Sequence, residues 1–194
     1  MSTRSPASVL ALLLAASAAG CGPRAPRERG VPAGVPPDPV ERPATREAAE
    51  AFAAAAHARL AGLDSVRGRL ALGDSDARFT AWFEHGHVRA VRESVDFGDY
   101  GSSVLRWTFA RDSVVLVTED GARAAPGGAP PAPVEMRVAF GPGGDTLAAR
   151  RALGGEPVAF HPGWLLGIRA RAETLLVRSR LLRASAAPSG GSHP

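Results

Sequence analysis

Residues 78–95 read RFTAWFEHGHVRAVRESV, and their alternation decides the fold. Phe79, Ala81 and Phe83 recur at every second position, so they share one face of an extended strand. The pair His85-Gly86 breaks the run, and residues 88–95 return. The same plan occurs twice more. Phe109 precedes a turn at Arg111-Asp112, and residues 114–119 return. Phe140 precedes Gly141-Pro142-Gly143-Gly144, and residues 146–151 return. Each unit is an aromatic-ended strand, a tight turn and a returning strand. Upstream, residues 66–72 alternate with Val66, Leu70 and Leu72 on one face. The spacing is too irregular for a solenoid or propeller. It predicts an antiparallel β-meander of about six or seven strands. The Gly/Ala/Pro-rich run 121–133 reads as a long loop within it.

Two helices flank the meander, which makes the class α+β. Thr45 is placed to cap the first, with Glu47 in its first turn and Gly62 at its end. Phe52, Ala56, Leu60 and Leu63 form its apolar stripe. The second follows Pro162-Gly163 and spans about residues 164–184. Leu165, Ile168, Ala172, Leu175, Leu176 and Leu182 share one face of it. Leu166, Ala170, Val177 and Leu181 form a second stripe, separated from the first by Arg169, Arg171, Arg178 and Arg180. Two apolar stripes imply cover on two sides. The helix is therefore expected to lie between the sheet and the N-terminal helix. The alternative is that Leu166, Ala170, Val177 and Leu181 dock a partner or lipid.

The 194 residues contain no Lys, Asn or Gln, and Ile168 is the sole Ile. The absent types have AT-rich codons and the abundant Arg, Ala, Gly and Pro have GC-rich ones, so the skew reflects a GC-rich genome. A net charge of +4 is too weak a field to argue for nucleic acid. With Cys21 the only cysteine, no internal disulfide forms.

The first residues carry an export signal. Arg4 precedes an apolar run from Val9 to Ala19, which is too short to span a bilayer. Small residues end it, as Ala18-Ala19-Gly20-Cys21. This stretch resembles the lipobox of bacterial lipoproteins, with Ala18 where Leu is usual. The resemblance implies cleavage before Cys21 and lipid on its sulfur and new N-terminus, a stable membrane anchor. Gly22 and Pro23 after the cysteine favour the periplasmic face of the outer membrane if the host is Gram-negative. Residues 1–20 then form the signal peptide, and 21–43 a Pro/Gly/Arg-rich disordered tether. Residues 44–184 form a single α+β domain, and 185–194 a disordered tail.

Candidate chemistry is sparse. His85 and His87 flank a turn glycine and could both reach one metal ion, given a third ligand such as His161 or Glu93. Asp96-Phe97-Gly98-Asp99-Tyr100-Gly101 offers two acids in a glycine-rich loop, without the ligand count of an EF-hand. Glu93 with Asp96 is a carboxylate pair that could do acid/base work. No Gly-x-Ser-x-Gly elbow, Ser-x-x-Lys or phosphate loop is present. Trp82, Trp107 and Trp164 read as core or half-buried sheet residues, Trp82 with the chance of contacting a ligand. The expected function is a membrane-tethered, non-enzymatic binding or assembly module, needing no cofactor. It would take an envelope protein or a small apolar ligand. The alternative is a metal-dependent or hydrolytic envelope enzyme using His85, His87 and the Asp96–Asp99 loop.

Overall fold

The computed structural model describes residues 42–72, 75–124 and 130–186. The leader, Cys21, nearly all of the tether and most of the tail lie outside the described residues. Eight strands follow one another: β1 (Asp64–Leu72), β2 (Ser75–Glu84), β3 (His87–Asp96), β4 (Gly101–Ala110), β5 (Ser113–Ala124), β6 (Pro131–Phe140), β7 (Thr146–Leu153) and β8 (Glu156–Pro157). They form one sheet in sequence order, each antiparallel to its neighbours. Helices α1 (Arg46–Ala58) and α2 (Pro162–Ala186) complete the domain. The α+β class and the meander hold, with eight strands instead of six or seven. The extra strand, β8, has two residues, too few to show alternation. Among the described residues no helix is long and apolar enough to cross a membrane.

The run 121–133 is not one long loop. β5 and β6 remain paired from Gly121↔Val134 to Ala124↔Pro131. Pro131 and Pro133 hid this, because proline usually marks the end of a strand. Pro133 keeps its place through its carbonyl, which accepts the Gly154 N–H at 2.7 Å.

The three sequence hairpins share a feature that alternation does not reveal. In each, the register slips by one residue just before the terminal phenylalanine. Arg89, Val115 and Leu147 are the residues left without a cross-strand partner. Such a bulge adds a residue to one strand and re-aims its side chain. Two of the turns are tight two-residue loops with positive φ throughout, at His85 (49°) and Gly86 (87°) and at Arg111 (44°) and Asp112 (65°). This is the hairpin geometry whose twist matches that of the strands.

The bulges decide where α1 sits. Phe79, Ala81, Phe83, Val91, Trp107, Phe109, Val117, Val138 and Phe140 point to one face and meet Ala172, Leu175 and Leu176 of α2. On the other face Val115 and Leu116, with Leu147 and Ala148, are consecutive pairs turned the same way. With Ala110 and Ala139 they make a platform for Ala49, Ala53 and Phe52 of α1. The small alanines let the helix approach closely. The buried α1 residues are Ala49, Ala53 and Ala56, which corrects the predicted stripe. The helix ends at Ala58, so Leu60 falls in a short 3-10 turn and Leu63 beyond it. The Thr45 cap stands, its Oγ1 accepting the Ala48 N–H at 3.2 Å.

The two helices therefore lie on opposite faces of the sheet, and α2 is not sandwiched between sheet and α1. Its first stripe is core. Leu166, Val177 and Leu181 of the second stripe are 66%, 55% and 56% exposed, and Ala170 is exposed too.

His57, in the last turn of α1, gives the α1 interface a pH dependence. Its Nε2 lies 3.2 Å from Thr108 Oγ1. Burial against the sheet, and then the charge of Arg106, lower its pKa below the usual 6.5. The unfolded chain therefore binds a proton that the native state resists. This contribution to stability is fully present above about pH 6.5 and is lost as pH falls below that toward the depressed native value. The melting temperature of the native protein should fall between pH 7.5 and 5.5 (roughly the histidine range) more steeply than that of His57→Gln. Parallel curves would remove His57 as the cause.

Candidate functional site

Burial on the α2 face is not uniformly apolar. Glu93 is fully buried and Glu119 is 4% exposed. Each sits where strand alternation puts an apolar residue, Glu93 between Val91 and Val95 and Glu119 two residues after Val117. A carboxylate removed from water needs compensation, and each has an arginine. Arg171 of α2 spans Glu93 with two hydrogen bonds, Nε to Oε2 at 2.9 Å and Nη2 to Oε1. Arg123 donates to Glu119 Oε1 from Nε at 2.9 Å and from Nη2 at 2.5 Å. Its guanidinium also lies 4.0 Å from the Phe97 ring centroid.

These pairs flank an open cavity of about 340 Å³ between β4–β7 and the first turns of α2. Leu105, Trp107, Met136 and Ile168 supply apolar wall, and Trp164 stands at the mouth. The helix leaves this space because Gly163 and Gly167 face it. A Cβ built on Gly167 meets no atom within 4 Å. Two polar groups on the wall lack an ordinary protein partner. Trp107 is fully buried, and among the described residues its indole N–H has no acceptor. Arg151 packs over the Trp164 ring at 4.6 Å, and among the described residues no carboxylate pairs with it. Phe160 also packs edge-on against Trp164, with ring centroids 6.0 Å apart. The lining contains no serine, threonine, cysteine or histidine, and arginines hold the two carboxylates. Among the described residues the cavity presents an apolar recess with the Arg151 guanidinium beside its mouth.

The residues singled out from sequence lie elsewhere. His85 is exposed in its turn, and His87 Nδ1 lies 3.4 Å from Asp112 Oδ2. His161 is near the start of α2. Among the described residues no three His, Cys, Asp or Glu side chains gather as metal ligands. Asp96 Oδ1 accepts the Gly98 N–H at 2.9 Å, closing its turn, and Asp99 lies in a short 3-10 turn. The ten residues of β3 separate the His85-His87 turn from the Asp96–Asp99 loop by about 30 Å. Glu93 and Asp96 point to opposite faces of β3. Trp82 is half-buried on the α1 face, away from the cavity, while Trp107 and Trp164 belong to it. Compared with known protein families, curated proteins and solved structures, the chain matches none of them.

Proposed function

We infer that this protein is a membrane-tethered envelope lipoprotein whose domain binds a small amphipathic ligand. Lipid on Cys21 would hold it in the cell envelope, facing the periplasm from the outer membrane in a Gram-negative host. The cavity beneath α2 would hold the ligand's apolar body. The apolar recess walled by Leu105, Trp107, Met136 and Ile168, with the Arg151 guanidinium stacked on Trp164 at its mouth, carries this reading. Arg151 at the mouth would select an anionic end. The volume sits at the small end of the roughly 300–1,000 Å³ typical of ligand sites. The exposed Leu166, Ala170, Val177 and Leu181 offer a separate apolar surface to an envelope protein.

Dodecanoate and its methyl ester are suitable probes, read by tryptophan fluorescence on the full chain. Dodecanoate should bind more tightly, and Arg151→Gln should remove most of that preference, a factor of about ten for one charge-assisted contact. Gly167→Leu should fill the cavity and abolish binding. It should also melt no lower than the native protein, since glycine inside a helix costs about 1 kcal/mol relative to good helix formers. Undiminished binding by a folded Gly167→Leu variant would reject the cavity as the site.

A further inference from the structure

On the face that α1 only partly covers, the strand registers align one row of side chains across seven strands. Arg67 pairs with Thr80, Thr80 with Arg92, Arg92 with Arg106, Arg106 with Thr118, Thr118 with Arg137, and Arg137 with Arg150. The next row toward the β1 edge sets Arg69 against Arg78, and Arg78 against Ser94. Like charges directly opposite each other destabilise a sheet, and three such Arg–Arg pairs occur here.

Each pair is only half neutralised. Arg78 lies 3.8 Å from Asp76, Arg106 bonds Asp120 at 2.5 Å, and Arg137 bonds Glu50 at 3.2 Å. Among the described residues no carboxylate pairs with Arg67, Arg69, Arg92 or Arg150. Arg67, Arg69, Arg78 and Arg92 line a groove of about 510 Å³ together with Thr80 and Ser94. Among the described residues that line it are four arginines and two hydroxyl side chains, and no carboxylate. Asp76 and Asp96 lie beyond one end of it.

The geometry points to a binding site for the phosphate headgroups of an anionic bilayer, on the sheet face opposite the ligand cavity. Guanidinium groups bind phosphate oxygens in pairs. Neighbouring strands space them about 4.8 Å apart, so they present a plane of donors rather than one pocket. The groove also shares its face with α1, through which the amino-terminal segment enters the domain. A bilayer held there leaves the cavity mouth and the exposed stripe of α2 on the far side, open to solvent. The inference stands apart from the ligand reading.

The test uses the chain from Gly22 onward, so that neither the apolar leader nor lipid on Cys21 contributes. Flotation with vesicles of phosphatidylglycerol and phosphatidylcholine is compared with flotation on phosphatidylcholine alone. Binding should require the anionic lipid. Arg67→Gln/Arg92→Gln should weaken it roughly twentyfold, at about fivefold per arginine. Both residues are exposed, so the fold should be unaffected, which circular dichroism checks. Arg178→Gln/Arg180→Gln on α2 removes the same charge and should change binding less than about threefold. Equal losses in the two variants would reduce the effect to net charge and overturn the groove. Binding to phosphatidylcholine alone would do the same. Calorimetry with sodium pyrophosphate separates the sources. Saturable binding lost in Arg67→Gln/Arg92→Gln, without vesicle binding, would assign the groove to a soluble phosphate and overturn the bilayer.

Discussion

Arg171→Met should destabilise the domain by about 3–5 kcal/mol, the usual consequence of stranding a buried charge. Methionine keeps most of the arginine stem, so little packing changes. What disappears is the guanidinium bonded to Glu93, which is fully buried. Glu93→Leu/Arg171→Met should recover most or all of the loss, because replacing both partners of a buried pair by apolar groups is often neutral or stabilising. Urea unfolding followed by circular dichroism measures both variants, and the midpoints should shift without a change in slope. A single variant as stable as the native protein would mean that Glu93 is solvated by some other route. A double variant no better than the single one would place the loss in packing.

Gly101→Ala should cost on the order of 4 kcal/mol, combining backbone strain and overpacking. Gly101 has φ 104° and ψ −165°, a region open essentially to glycine alone. A Cβ there would stand 2.1 Å from the carbonyl oxygen of Ala122. The approach is reciprocal, since a Cβ on Gly121 would lie 2.3 Å from the Ser102 oxygen. Gly98→Ala is the control. Its φ is 59° with no atom near the added Cβ, so it should cost only about 1–2 kcal/mol. Thermal unfolding of the two variants should separate them clearly. Equal losses would show that dihedral strain alone matters and that β4 and β5 can part without cost. The Gly101 variant should also disturb the cavity wall, because Phe97, which carries the Arg123 guanidinium, adjoins this crossing.

Most of the sheet was legible because its signal is local. Phe79, Ala81 and Phe83 alternate, and two-residue turns fix the register of the strands that follow. The bulges were not legible, since Arg89, Val115 and Leu147 are ordinary strand residues in ordinary places. They moved α1 to the face away from α2, and with it the expectation that α2 is covered on both sides. The cavity was half visible. Glu93 and Glu119 interrupt runs of alternating valines, and a carboxylate on the apolar side of a strand signals a buried partner. Which arginine answers each, among 23 of them, depends on how α2 crosses the sheet, a long-range fact without a local pattern. The histidines and the aspartate loop have metal-ligating residue types, but their turns place them at the two ends of β3.

The meander has a consequence for how the chain folds. Every strand pairs with the strand next to it in sequence, so the sheet can assemble hairpin by hairpin as the chain is made. Local contacts of this kind favour rapid folding for a β-rich protein. The last element is different in kind. Leu175 and Leu176 close the core, and Arg171 answers a carboxylate almost eighty positions earlier in the chain. A molecule truncated before α2 would keep its hairpins and expose their phenylalanines, the sort of unfinished surface on which β-rich intermediates aggregate. Commitment to the native state therefore rests with the final helix.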